Sequence, residues 1–297
     1  MVEKTTKSRI AFCALNYGLL VVFGFICLIP LWHVLMASVS EPRLLMASSG
    51  ILFAPLGKAT LEGYGIVLSN SAVIEGYGNT LLYVAVNAIV GTFLTAIAGF
   101  LVSRKNFRLA KPLTAFIMFT MIFNGGLIPS YMVIRGLGLI NTRWAIILPA
   151  LMNAYFIIVM KSSFEQLPAA YEESAKLDGA GPVRILFQIL LPLVKPTLVV
   201  VIMFAIIGQW NSWYPASIYL PRVREKWPLQ LIMRSLLIQN DVSKLLTSSN
   251  DANHVINMTG NLVKYCVTIV GTLPILVAYP FAQRYFVTGI TLGGVKG

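Results

Sequence analysis

Six stretches of apolar residues alternate with polar connectors along this chain. Each is about 20 residues long, which is enough for a helix to cross the hydrocarbon core of a bilayer. Because an unpaired backbone group is costly in lipid, each spanning segment is expected to be helical. The pattern predicts an all-α, polytopic membrane protein, folded as one transmembrane domain over residues 1–297. The approximate limits of the six spans are 12–39, 79–102, 113–134, 144–160, 196–214 and 262–282.

The connector between the fourth and fifth spans, residues 161–195, has a pattern of its own. Glu172 and Glu173 suit the early turns of a short helix, where the helix dipole favours carboxylates. Gly179 offers a left-handed stop, and Pro182 suits the first turn of a second short helix. The apolar face of that second helix is predicted to comprise Val183, Leu186, Ile189 and Leu190. The pattern predicts two short helices joined at a glycine; the alternative is an amphipathic connector lying on the membrane surface.

Composition and charge support a membrane protein and orient it. Charged residues make up 11% of the chain, against roughly 25% in a soluble domain. Lys and Arg concentrate before the first span, after the second span and in the 161–195 loop. By the positive-inside rule, this distribution predicts that this loop and both termini lie in the cytoplasm. The net charge of +12 is then explained by topology and anionic membrane lipid, and nucleic acid is not expected as a partner.

Several chemical signatures are missing from the sequence. All eleven acidic residues lie outside the six predicted spans, whereas ion-coupled carriers commonly place a carboxylate within the membrane. Backbone oxygens can also hold sodium, so an ion-coupled secondary sugar carrier or a channel remains the alternative function. The chain has no phosphate-binding loop, no His or Cys spacing typical of a metal site, and no catalytic set. We therefore expect a transporter subunit without enzymatic activity, metal or cofactor.

The 161–195 loop resembles the EAA loop of ABC-importer permeases. The match is Glu173-Ser174-Ala175, then Gly179 after three residues, then Ile189-Leu190-Leu191-Pro192 after nine more. Ser174 stands where the family usually has Ala, which is a small-for-small change. The resemblance implies that the loop docks on a separate ATPase subunit that carries ATP and Mg. The residues expected at this contact are Glu172, Glu173, Ser174, Ala175, Asp178, Gly179, Ile189 and Pro192.

Further segments resemble the carbohydrate-uptake branch of these permeases, the MalG-like proteins and their LplC/YtcP-like subgroup. These segments are 123–129, 138–142, 210–212, 228–231, 283–286 and 294–297. The resemblance implies a MalF/MalG-type subunit of a binding-protein-dependent importer of oligosaccharides, including acidic fragments of alginate or pectin. It also implies a location in the bacterial cytoplasmic (inner) membrane. It also implies the partners: a second, homologous permease in a heterodimer, two ATP-binding cassette subunits and an extracytoplasmic solute-binding protein.

A sugar pathway is expected to be lined by amides and flat aromatic faces, since polar groups in the membrane tend to face a cavity or a partner. The candidates are Asn87, Asn124, Asn153, Tyr155, Gln209, Asn211 and Trp213. Asn87 and Asn153 have an alternative role as hydrogen bonds between helices, and the aromatic residues after Gln209 have one as an interfacial belt. Asn124, two glycines and Pro129 are expected to loosen the third span, either as a gate or as a packing kink.

Two further contacts with partner proteins are expected, one from an outer loop and one from the C-terminal tail. The outer loop from 215 to 261 is expected to contact the solute-binding protein. The alternative is that it is a solvated loop without a partner. Its contact candidates are Arg222, Arg224, Lys226 and Trp227. The resemblance also implies that the C-terminal tail, with Val295, Lys296 and Gly297, inserts at the ATPase interface.

Overall fold

The computed structural model describes residues 6–238, 260–277, 279–280 and 283, and every regular element in these residues is a helix. The prediction of an all-helical protein is confirmed for this part of the chain. The contacts divide the chain into two compact units. The first unit comprises Met1–Asn70 with Ser235–Thr272, and the second comprises Ser71–Arg234 with Leu273–Gly297.

The first unit is built on a long apolar helix. Its described helices are α1 (Lys7–Ser38), α2 (Pro42–Ala47), α3 (Glu62–Ser69) and the larger part of α16 (Gly260–Val277). Most apolar side chains of α1 are more than half exposed, and Phe23 is 66% exposed. A helix that is apolar on all sides without protein around it is typical of a membrane span.

Close packing joins α1, α3 and α16 within this unit. A Cβ on Gly63 would lie 2.7 Å from the Sγ of Cys266, so glycine permits the close approach of these two helices. The Ser38 hydroxyl lies 2.7 Å from the Tyr64 hydroxyl. His33 accepts a hydrogen bond from the backbone N–H of Leu52 at 3.0 Å, which gives this histidine a structural role.

The second unit contains shorter helices and two π-helical turns. In chain order these are α4 (Ser71–Val86), a π turn (Asn87–Gly91), α5 (Thr92–Ser103), α6 (Ala110–Ile122), α7 (Leu127–Gly136), α8 (Trp144–Ala150), α9 (Ala154–Glu165), α10 (Ala170–Leu177), α11 (Pro182–Arg184), a second π turn (Ile185–Leu190), α12 (Leu191–Leu193), α13 (Lys195–Trp210), α14 (Tyr214–Tyr219), a 3₁₀ turn (Arg224–Lys226) and α15 (Leu229–Ile238), which continues past the boundary of the unit.

The number of candidate membrane spans agrees with the predicted six when each bent helix pair is counted as one span. Among the described residues, four helices are long and apolar enough to cross a membrane: Lys7–Ser38, Ser71–Ser103, Trp144–Glu165 and Gly260–Val277. Two further pairs pass the same test but are bent at a short break. The chain bends by 119° between α6 and α7, and by 87° between the segment from α11 to α12 and α13. Six spans result if each bent pair is one span.

The break between α6 and α7 lies at the predicted weak point of the third span. Gly126 has φ of +88° and ψ of −178°, a backbone conformation that is essentially restricted to glycine. The Asn124 side-chain oxygen accepts a hydrogen bond from the Gly126 N–H at 2.8 Å, which closes a local turn in place of the helical ladder. The expectation that this sequence loosens the span is confirmed.

The core of the second unit forms where α5 crosses α9. A Cβ on Gly99 would lie 2.7 Å from the Cβ of Met160, so the two helices meet almost backbone to backbone. The loop from α10 to α12 packs on the same cluster. Its buried members are Ala96, Phe100, Met160, Phe164, Ala175, Ile185, Leu186, Leu190, Val194 and Val201. The loop is therefore part of the core at the end of α5 and α9.

Candidate coupling loop and transport cavity

The loop from α10 to α12 contains a complete helix stop at Gly179. This glycine has φ of +77°. The Ala180 N–H donates to the Ala175 carbonyl at 2.9 Å, and the Gly179 N–H donates to the Lys176 carbonyl at 3.0 Å. Together these bonds form a Schellman motif, which requires a left-handed residue at the position of the glycine. The predicted left-handed stop is confirmed, and Pro182 opens the next helix as expected.

The residues of this loop divide between an inner and an outer face. Ala175 is 6% exposed and Ile185 is 1% exposed, while Ile189 is half-buried. The remaining coupling candidates apart from Glu172 are exposed: Glu173, Ser174, Asp178, Gly179 and Pro192. Two apolar side chains are exposed beside them, Leu177 at 89% and Val183 at 72%. The sequence predicts Val183 in the apolar face with Leu186, but this prediction is wrong: Ile185, two residues later, is buried beside Leu186, and Val183 is exposed.

An ion pair holds α10 against the end of α5. Arg104 donates to one carboxylate oxygen of Glu172, and the Lys176 ammonium lies 2.8 Å from the other. Burial raises the pKa of the Glu172 carboxyl, but the hydrogen bonds and charges of Lys176 and Arg104 lower it by more. The pKa therefore lies below its ordinary value of 4.5. The Arg104 guanidinium also lies 5.0 Å from the ring centre of Phe100. Glu172 is therefore an inner, charged anchor of the loop.

A cavity of about 220 Å³ lies between the π turn, α5, α9 and α13. Three of the seven predicted pathway residues line it, namely Asn87, Asn153 and Gln209. The Asn87 amide donates to the Gln209 side-chain oxygen at 3.3 Å, which joins two helices across the cavity wall. The Asn153 side-chain oxygen accepts from the Tyr155 N–H at 2.9 Å and caps α9. Both asparagines thus have a structural partner while they line the cavity.

The other pathway candidates lie outside this lining. Asn124 is at the break between α6 and α7, and the Asn211 amide donates to the Ile207 carbonyl at 2.9 Å. Tyr155 is 56% exposed. The Trp213 ring is 3.8 Å from the Arg234 guanidinium, measured to the ring centre. The structure brings together only the amides at 87, 153 and 209.

The four candidates for binding-protein contact differ in their exposure. Arg222 and Arg224 are exposed, while Lys226 and Trp227 are half-buried. The Lys226 ammonium donates to the Asn141 carbonyl at 2.9 Å, and the Trp227 indole N–H donates to the Leu220 carbonyl at 2.8 Å. Two of the four side chains therefore anchor this segment to the rest of the unit. The tail candidates Val295, Lys296 and Gly297 lie outside the described residues.

Comparison with known proteins decides the family. Residues 91–292 match the family model described as "Binding-protein-dependent transport system inner membrane component". The chain belongs to this family. The matched region includes the loop from α10 to α12 and every residue that lines the cavity except Asn87.

Curated relatives cover almost the whole permease. It is 33% identical to the polygalacturonan/rhamnogalacturonan transport system permease protein YtcP of Bacillus subtilis, over 98% of this chain and 100% of that protein. It is also 33% identical to protein LplC of the same organism, over 98% of this chain and 97% of the relative.

A solved structure has the same fold as the permease. It is the crystal structure of a bacterial ABC transporter involved in the import of the acidic polysaccharide alginate. The TM-score is 0.84 at 28% sequence identity, and the match covers 96% of this chain and 100% of that chain. The protein is thus a membrane-embedded permease component of a binding-protein-dependent ABC sugar importer. A partner permease, an ATPase and a binding protein are the general partners of such importers.

Three polar residues of these sites, Arg104, Thr92 and Thr95, were not candidates from the sequence. Arg104 was counted only as a topology signal, and its pairing with Glu172, 68 residues away, has no local signature. Thr92 lines the cavity but was not a candidate. Asn87, Gly91 and Thr95 recur every four residues in an otherwise apolar span, and this stripe of small and polar residues was the available signal.

Proposed function

We propose that this permease imports acidic oligosaccharides, driven by ATP hydrolysis on a separate subunit that docks on the loop from Ala170 to Leu193. The observation that carries the proposal is the two-sided loop. Its inner face is packed into the core, while Leu177 remains 89% exposed and Val183 72% exposed. Exposed apolar side chains among polar neighbours are typical of a protein contact. The outer residues Glu173, Ser174, Asp178 and Gly179 surround them in the proposed contact.

The inner face supplies the mechanical link in this proposal. Ala175 and Ile185 pack in the same core cluster as Phe100 of α5 and Phe164 of α9. The Arg104–Glu172 ion pair ties α10 to the end of α5. A displacement of the loop by the ATPase would therefore move the ends of these helices with it, because close-packed interiors transmit displacement rather than absorb it.

The proposed cargo follows from the relatives and from the character of the cavity. YtcP is named for polygalacturonan and rhamnogalacturonan, and the solved structural relative concerns alginate. The cavity walls combine amides with the aromatic rings of Phe156 and Phe204, which suits a sugar with polar edges and apolar faces. Acidic oligosaccharides of the pectin or alginate type are the proposed substrates.

The proposed orientation places the coupling loop and both termini in the cytoplasm. The segment with exposed Arg222 and Arg224 then faces the extracytoplasmic binding protein. The tail ending in Val295, Lys296 and Gly297 is proposed to reach the ATPase dimer, which holds ATP and Mg. A second, homologous permease completes the pathway.

Uptake by the reconstituted complex tests this proposal. Proteoliposomes with the four kinds of subunit receive a labelled galacturonate or mannuronate trisaccharide, with proton and sodium gradients collapsed by ionophores. Uptake that requires internal ATP and is lost in Glu173→Lys supports the proposal. Uptake that follows an ion gradient and needs no ATPase would instead establish the secondary carrier, and uptake of neutral trisaccharides alone would overturn the acidic cargo.

A further inference from the structure

A buried hydroxyl in the wall of the cavity has no hydrogen-bond partner within the described part of the chain. Thr92 is 7% exposed, lines the cavity, and its Oγ1 makes no hydrogen bond there. A buried hydroxyl without a hydrogen bond destabilises the folded protein by about 1–3 kcal/mol. In the described residues it is the one buried side-chain nitrogen or oxygen in this condition, so its position at a cavity calls for an explanation.

Helical threonines normally satisfy their hydroxyls on their own backbone. Thr114 donates to the Ala110 carbonyl at 2.7 Å, and Thr268 donates to the Lys264 carbonyl at 2.9 Å. Thr92 follows directly after the π turn Asn87–Gly91, in which the widened turn shifts the preceding carbonyls out of the regular α-helical register. The π turn thus leaves the hydroxyl free for another partner, and π turns of this kind are frequent at functional sites.

The cavity around Thr92 has the chemistry of a sugar site without charge. None of its lining residues is ionisable, and Asn87, Asn153 and Gln209 supply amide donors and acceptors. The rings of Phe156 and Phe204 stack with centroids 6.3 Å apart and an angle of 28°, which provides an apolar wall. The volume of about 220 Å³ is below the roughly 300–1,000 Å³ of pockets that enclose drug-sized ligands. It suits one sugar ring rather than an oligosaccharide.

Glycine permits close packing in the wall of this cavity. A Cβ on Gly91 would lie 2.8 Å from the Asn87 side-chain oxygen and 2.8 Å from the Leu151 carbonyl. The π turn is therefore pressed against the end of α8. A threonine in a helix has two accessible χ1 rotamers, so the Thr92 hydroxyl is able to turn toward the cavity when a ligand offers a partner.

We propose that the Thr92 hydroxyl forms a hydrogen bond with a sugar hydroxyl in a neutral subsite for one sugar ring, which Asn87 and Gln209 also form. The proposal rests on the sugar import proposed above and adds a residue and a chemical preference. The subsite binds the hydroxyl edge of a ring, and the carboxylate of an acidic sugar is accommodated outside it, because none of the cavity's lining residues carries a charge to pair with an anion.

The experiment compares Thr92→Val with the wild type in the reconstituted complex. Valine keeps the shape and removes the hydroxyl. The probes are labelled trisaccharides of galacturonate, mannuronate and glucose, each presented on the binding protein, and the best transported one is used further. A sugar that is held less firmly in the cavity returns to the binding protein more often, so uptake per ATP hydrolysed is expected to fall about three- to tenfold, the effect of one lost neutral hydrogen bond. Stimulation of ATP hydrolysis by the loaded binding protein is expected to stay within about twofold.

Two variants and one physical measurement control this result. Thr92→Ser, which keeps the hydroxyl, is expected to restore uptake per ATP. Thr114→Val removes a hydroxyl that is bonded to its own helix and is expected to leave uptake per ATP unchanged. The melting temperature of the Thr92→Val complex is expected to be unchanged or higher, because the substitution removes an unpaired buried group. The loss is expected to be equal at low and high salt, since no charge is involved.

Several results would overturn the subsite. Wild-type uptake per ATP in Thr92→Val would show that the hydroxyl does not contact the sugar. A lower melting temperature with a parallel loss of ATPase stimulation would show a structural role instead. Absence of uptake for all three probes in the wild type would refute the proposed sugar import itself and the subsite with it.

Discussion

The guanidinium of Arg104, at the end of α5, donates to the carboxylate of Glu172 in α10. The side chains are 21% and 19% exposed, so this ion pair is screened less by water than a surface pair. It links the candidate coupling loop to a membrane-spanning helix by a charge-assisted contact, and it does so across 68 residues of sequence.

Loss of this pair is expected to loosen the loop. Arg104→Gln removes the charge and leaves Glu172 with Lys176 alone, which is expected to destabilise the docked loop by about 1–2 kcal/mol. ATP-driven uptake is expected to fall several-fold at normal membrane levels of the permease. Arg108→Gln, a charge removed from an exposed position nearby, serves as the control and is expected to have little effect. Equal uptake by the two variants would show that the ion pair does not contribute to coupling.

The same ion pair predicts a dependence on pH. The pKa of Glu172 is held below its ordinary value of 4.5, so the carboxylate stabilises the docked loop fully above that pH. The stabilisation is lost as the pH falls below 4.5 and through the lowered pKa, where the folded state must take up a proton. Limited proteolysis of the loop between about pH 6 and pH 3 measures this. The wild type is expected to become more susceptible toward low pH, and Glu172→Gln is expected to be susceptible throughout. A flat wild-type profile would contradict this assignment.

Two glycines of the loop form a matched pair for testing its geometry. Gly179 has φ of +77° and Gly181 has φ of −74°, and neither would meet a neighbour if a Cβ were added. Gly179→Val is expected to impose about 1–2 kcal/mol of strain and to misplace the second short helix. Gly181→Val is expected to be tolerated, because an extended conformation suits valine. Uptake should therefore fall in the first variant only, with membrane insertion retained in both.

The segment from Arg222 to Trp227 is expected to separate into contact and anchor residues. Arg222→Glu reverses an exposed charge and is expected to weaken stimulation by the loaded binding protein, most strongly at low salt. Lys226→Met removes the bond to the Asn141 carbonyl and is expected to lower the stability of the complex by about 1 kcal/mol. A salt-dependent loss of stimulation in Lys226→Met, without loss of stability, would reverse these roles.

Features set by local sequence were predictable from the sequence. The apolar runs predicted the membrane helices, because their length alone meets the requirement of a bilayer. The stop at Gly179 and the break at Asn124 to Gly126 were predictable for a different reason. Glycine adopts a positive φ, such as those at 126 and 179, without the strain that a side chain brings. The family resemblance came from fixed spacings within one loop.

Features set by tertiary packing were not predictable. The Arg104–Glu172 pair joins residues that are distant in sequence. Lys226 and Trp227 turn inward because the carbonyls of Asn141 and Leu220 accept their hydrogen bonds. The cavity depends on a π turn that has no reliable sequence signal. Asn87 and Gln209 were predicted to line the pathway from their polar character, but Thr92 was not predicted as a lining residue. The roles proposed for all these residues in transport stay predictions.

The most direct test of the account is whether the coupling loop touches the ATPase. A photo-crosslinking amino acid is placed at Leu177, the most exposed large apolar side chain of α10, in the complete complex in membranes. The control position is Ile128 in α7, which is 73% exposed and lies far along the chain from the loop. We predict a crosslink from position 177 to the ATP-binding subunit, with a yield that changes when ATP is added, and none from position 128. A crosslink from 177 to lipid or to the partner permease alone would contradict the coupling role of the loop.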